Sequence, residues 1–122
     1  MGQHLIFCKG SSRWVIVAGK FAFKIPSLYN WKRFLNGLIS NMQEVEFNKV
    51  EEMREKLCPI LFYIPLGFLV VMPRVRILEY DELTQAQLQD FCTNINYIIP
   101  SEHKCDSFGY FKGRLVAVDY GN

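Results

Sequence analysis

The sequence has two histidines, His4 and His103, and four cysteines, Cys8, Cys58, Cys92 and Cys105, with no Cys-x-x-Cys pair among them. Zinc sites need closely spaced thiolate and imidazole ligands, so this is a poor metal set. Scattered single thiols point instead to a reducing cytoplasm. The apolar patch in Met1–Lys9 is too short for a secretory leader. An excess of one charge is missing as well: 14 Lys and Arg against 12 Asp and Glu leave +2, which argues against a nucleic-acid partner. The longest apolar run, Ile60–Met72, is interrupted by Pro65 and Gly67. It falls well short of the ~20 residues that cross a bilayer, so no membrane partner is expected. Repeats, low-complexity stretches and linkers are absent too.

What the sequence does have is core material. Half of its 122 residues are hydrophobic and 15% are aromatic, with 10 Phe, 6 Tyr and 2 Trp, enough for one folded domain over 1–122. His4–Cys8, Arg13–Val17 and Phe21–Ile25 are short β-branched or aromatic stretches separated by turn-like residues. They predict an antiparallel meander in which Gly19 supplies the positive φ of a tight hairpin. Pro26 closes it. A helix follows, capped by Ser27 or Asn30. Its stripe of Trp31, Phe34, Leu35, Leu38, Ile39 and Met42, continued by Val45, Val50 and Met53, predicts one buried face, with a break near Gly37 or Asn41. At 100° per residue Glu46 lies inside that apolar arc and Glu44 nearly opposite, so periodicity favours Glu46 as an inward carboxylate needing a cation.

Ile60–Ile64 and Phe68–Met72 flank a Pro65-Leu66-Gly67 turn and read as the most buried strands. Pro73 stops the second. Thr84-x-x-Gln87 has the form of a capping box opening a second helix with Leu88, Phe91, Cys92 and Ile95 inward and Pro100 as its end. Phe108-Gly109-Tyr110, a Lys112-Gly113 turn and Leu115–Val118 predict a final hairpin, and Asp119-Tyr120-Gly121 follows it. The fold expected is α+β: a five-stranded antiparallel sheet with one long helix, then a helix and a hairpin.

Singly these features are unspecific; their order is not. Phe21-Ala22-Phe23-Lys24-Ile25-Pro26, a helix bearing a glutamate, two apolar strands ending in Met72-Pro73-Arg74-Val75, a helix, Glu102-His103-Lys104-Cys105-Asp106-Ser107, a hairpin and Asp119-Tyr120-Gly121 follow one another as protein-kinase parts do. The chain resembles the protein-kinase-like fold, and within it the compact bacterial and phage-type members, over essentially its whole length. The resemblance implies an N-lobe-like half at 1–75 and a truncated C-lobe-like half at 76–122. Lys24 then matches the lysine that reaches nucleotide phosphates, with Glu46 or Glu44 as its helix partner. Asn41-x-x-Glu44 resembles a helix pattern of small kinase-like proteins, so both glutamates stay open. Met72–Val75 falls at the adenine-holding hinge. Glu102-x-Lys104-x-x-Ser107 answers the catalytic loop, with Glu102 as base beside Lys104, and Asp119, Asp106 and Ser107 as magnesium ligands.

Departures from the family pattern temper the activity so implied. Between the first two strands the only glycine is Gly10, so a glycine-rich phosphate lid is missing. Glutamate replaces the usual aspartate at 102, and serine the asparagine at 107. The sequence ends just past Gly121, without a match to an activation segment. The resemblance therefore implies a degenerate, pseudokinase-type domain with a vestigial site for ATP and Mg2+, acting through a protein partner in the cytoplasm, as a phage product acting on a host protein would. An active minimal ATP-dependent phosphotransferase is the alternative, and a structural protein that has lost the nucleotide is a third. Tyr29, Trp31, Tyr110 and Tyr120 are the aromatics expected to anchor a partner.

Overall fold

The computed structural model describes residues 5–9, for which the backbone alone is considered, and residues 12–94, 96–101 and 103–120. Three strands open it, β1 (Leu5–Lys9), β2 (Arg13–Ala18) and β3 (Phe21–Pro26), followed by one long helix, α1 (Trp31–Asn48). Next come β4 (Phe62–Ile64), β5 (Leu69–Pro73) and the short β6 (Arg76–Ile77). The second helix, α2 (Gln85–Cys92), precedes the closing hairpin of β7 (Phe108–Phe111) and β8 (Arg114–Ala117). The expected mixture of helices with antiparallel sheets is what forms. One sheet has the order β1-β2-β3-β5-β4, the other β6-β7-β8.

Local chemistry accounts for most element ends. Gly19, at φ 59°, turns β2 into β3, with Val15 opposite Lys24 and Arg13 opposite Pro26. Lys112 and Gly113, both at positive φ, make the β7–β8 turn. The cap of α1 is Asn30, whose side chain accepts the Arg33 amide at 2.9 Å. Thr84 and Gln87 form a complete capping box on α2. That helix ends at Cys92, well before Pro100, and Ile95 lies outside the described residues.

Three further expectations are overturned. No break interrupts α1, and its buried residues are Gly37, Ser40, Asn41, Glu44 and Val45. Leu35, Ile39 and Met42 instead face outward. Gly37 explains the choice: a Cβ there would sit 2.3 Å from the Ser12 carbonyl oxygen and 2.7 Å from Pro26 Cα, so this small, polar face alone can approach the sheet so closely. Nor is β4 a buried strand. It lies at the sheet edge, and all three of its residues are exposed, whereas Val70, Val71 and Met72 of β5 are buried.

The core lies between the two sheets and α2. Leu57, Cys58, Val70, Met72, Leu88, Cys92, Ile99, Phe108, Val116 and Ala117 are nearly or fully removed from solvent in one cluster. The Cys58 amide donates to the Ala117 carbonyl at 2.8 Å, which fixes β8 against the segment after α1. That seam carries Tyr120 into contact with α1 at Glu44 and Asn48, and brings Val118 to Lys24 and Asp119 to Arg13. Among the described residues no helix is long and apolar enough to cross a membrane.

Candidate functional site

Arg13, Lys24, Glu44 and Asp119, from four separate parts of the chain, meet in one cluster. Strand parity directs the first two. Arg13 shares its face of β2 with Val15 and Val17, all three buried, and Lys24 is buried beside them on β3, opposite Val15. Glu44 points at both from α1 and is fully buried.

The Lys24 ammonium donates to both Glu44 carboxylate oxygens at 3.1 Å and, by a short contact, to the Val118 carbonyl. Three acceptors match the three N–H donors a lysine has. Arg13 Nη1 lies 2.8 Å from Glu44 Oε2 and donates to Asn41 Oδ1 at 3.2 Å, while Nη2 makes a short ion pair with Asp119. Asn41 in turn donates to the carbonyls of Lys24 and Gly67 at 3.1 and 2.9 Å, holding β3 and the β4–β5 turn to the helix. The Tyr120 amide donates to Glu44 Oε2 at 3.2 Å. Two cations and two carboxylates thus balance. No buried side-chain nitrogen or oxygen among the described residues lacks a partner.

The electrostatics follow from burial and neighbours. Desolvation pushes the Lys24 pKa below its ordinary value, against the pull of Glu44. Burial acts on Arg13 in the same sense, but Glu44 and Asp119 together outweigh it and hold that pKa above its usual value. Burial, reinforced by Glu44, raises the Tyr120 phenol well above its ordinary value; its hydroxyl donates to the Cys58 carbonyl at 2.8 Å. Asn48 donates to the same hydroxyl at 3.1 Å.

Of the residues singled out from sequence, Lys24, Glu44 and Asp119 come together, and Glu46 does not. Glu46 is exposed and pairs with Lys49, at 3.3 Å. Periodicity pointed to Glu46 because it correctly identified the apolar arc of α1 and wrongly took that arc to be the inward one. Met72 is buried in β5 opposite Ala22, and Val75 is half-buried in the extended segment just beyond, where the Arg74 amide donates to the Lys20 carbonyl. Ser107 is buried, and its carbonyl accepts the amides of Val118 at 2.8 Å and Asp119 at 3.4 Å. Ser101 donates through its hydroxyl to the Asp119 carbonyl at 2.7 Å. Lys104 and Asp106 are exposed and line a separate cavity of about 420 Å³ with Leu78, Leu83, Leu88 and His103. That lining includes none of Lys24, Glu44 and Asp119. Glu102 lies outside the described residues, as does Gly121. Tyr29 and Trp31 are exposed and Tyr110 is half-buried, but Tyr120 is wholly buried and presents no ring to a partner.

Arg13 is the residue sequence reasoning missed. Its signal was available: a cation at position i of a strand whose i+2 and i+4 residues are Val15 and Val17 is on the core face and requires a buried acid. Comparison with known proteins finds no matching family model, no matching curated relative and no matching solved structure.

Proposed function

We propose that this chain is a kinase-like domain of the pseudokinase type, whose nucleotide site is closed by its own side chains and which acts by binding a protein partner. The support is the connectivity of the ion cluster on this order of elements. A lysine on the third strand, a glutamate on the following helix and an aspartate after the last hairpin are the groups that phosphoryl transfer would use on phosphates and metal. Here Arg13, from the strand after the first turn, bridges the glutamate and the aspartate.

That bridge carries the reading. A nucleotide phosphate needs unsatisfied donors, and all three Lys24 donors already have protein acceptors. A divalent cation needs the Asp119 carboxylate, which a guanidinium already neutralises. Opening the site means separating buried charges that compensate one another, a step made costly by desolvation. The serine at 107 and the lack of a glycine-rich lid weaken a metal and phosphate grip further. Any residual affinity for ATP with magnesium is then weak.

One observation favours the alternative, an active minimal phosphotransferase: the Lys24–Glu44 pair is formed, with Asp119 in the same cluster. Radiolabelled ATP with magnesium or manganese separates the two. Wild type and Asp119→Ala should both show only background transfer. Transfer by the wild type that vanishes in Asp119→Ala would overturn the pseudokinase reading.

A further inference from the structure

The outward face of α1 carries what a globular protein ordinarily buries. Trp31, Leu35, Ile39 and Met42 are 77, 52, 48 and 38% exposed, and they fall at i, i+4, i+8 and i+11 along one stripe. The stripe widens toward Leu66 and Phe68, 66 and 46% exposed, the latter in ring contact with Phe34. Such contiguous apolar surface marks an interaction site.

Two charges frame the stripe, and their placement decides the occupant. Lys32 and Glu46 each lie seven residues from Ile39, on opposite sides of it. On a helical wheel each falls about 20° from the Ile39 direction, so they lie along the line of the stripe toward its two ends, about 10 Å from its midpoint along the axis. Both are exposed, and the Glu46 link to Lys49 at 3.3 Å is a solvent-facing pair that is easily exchanged.

We infer that the outer face of α1 is a self-association surface, on which a second copy of this chain packs its own α1 antiparallel about a two-fold axis near Ile39. Antiparallel pairing sets Lys32 of one copy opposite Glu46 of the other, and two-fold symmetry forms both ion pairs at once. Leu35 of one helix then faces Met42 of its mate, with the two Ile39 side chains meeting at the axis. Parallel pairing would set Lys32 against Lys32 and Glu46 against Glu46, so charge selects the antiparallel arrangement. This inference is independent of whether the ion cluster behind α1 binds nucleotide, because it uses the opposite face of the helix.

Sedimentation velocity on the full chain over a concentration series provides the test. The wild type should be a dimer that dissociates on dilution. Ile39→Asp should be monomeric, with a circular dichroism spectrum like that of the wild type. Lys32→Glu and Glu46→Lys should each weaken the dimer by about tenfold, since each converts two attractive rim contacts into two repulsive ones. The combined K32E/E46K exchange should restore it. Neither charged residue is buried, so folding does not confound this pair. A wild type that stays monomeric throughout the series overturns the inference and leaves the face to an unrelated protein. A dimer that Ile39→Asp leaves intact, or that the charge exchange fails to rescue, overturns it equally.

Discussion

Replacing Glu44 by glutamine changes no volume but removes the charge that two buried cations share. In the native cluster Glu44 contacts Lys24 Nζ at 3.1 Å through both oxygens and Arg13 Nη1 at 2.8 Å, and accepts the Tyr120 amide. An amide in its place leaves two cations facing Asp119 alone and turns an NH2 group toward donors. Breaking a buried pair from one side costs about 3–5 kcal/mol. That is a large part of the 5–15 kcal/mol that typically holds a domain together, roughly a 10–20 °C loss in Tm at this size. Glu46→Gln is the matched control: its pair with Lys49 is exposed on both sides, so the cost should be within ~0.5 kcal/mol. Lys24→Met should cost clearly less than Glu44→Gln, because Arg13 remains to serve both carboxylates. Urea unfolding followed by circular dichroism would rank the three variants. Near-equal losses for Glu44→Gln and Glu46→Gln, or a Lys24→Met loss as large as that of Glu44→Gln, would refute the charge-sharing account.

Gly37→Ala should destabilise the protein by ~1–3 kcal/mol in urea unfolding, although alanine is the better helix former by ~1 kcal/mol, because the added methyl would press on the Ser12 and Pro26 backbone. Cys58 and Cys92 are buried and burial raises their pKa to about 12 and about 11, so iodoacetamide labelling read by peptide mass spectrometry should modify the half-buried Cys105 well before either. In alkali Cys58 and Lys24 act in opposite senses. A thiol whose folded pKa is raised from about 9 to about 12 contributes stability that is present below the lower value and lost toward the higher one. Lys24, with a lowered folded pKa, gives up its proton more readily folded than unfolded, and so favours folding as pH rises. Urea midpoints above pH 9 should therefore fall less steeply in Cys58→Ala and more steeply in Lys24→Met than in the wild type.

Features whose cause lies within a few residues were legible in the sequence. The Thr84–Gln87 capping box, the Gly19 hairpin, the stop at Pro73 and the closing hairpin around Lys112-Gly113 all form where local chemistry places them. Lys24 and Asp119 stood out as a cation on a strand and an acid after an apolar strand, and both lie in the cluster. The edge position of β4 was not legible, because Leu-Phe-Tyr-Ile reads alike whether one face or none is covered, and pairing order alone left it outermost. The facing of α1 was hidden for a deeper reason. Its period marks an apolar stripe and a polar one without saying which turns inward. Close approach at Gly37, and the need of two buried cations on β2 and β3 for a carboxylate, turned the polar stripe in. The same choice selected Glu44 over Glu46, brought Arg13 into the site and left Trp31, Leu35, Ile39 and Met42 facing outward.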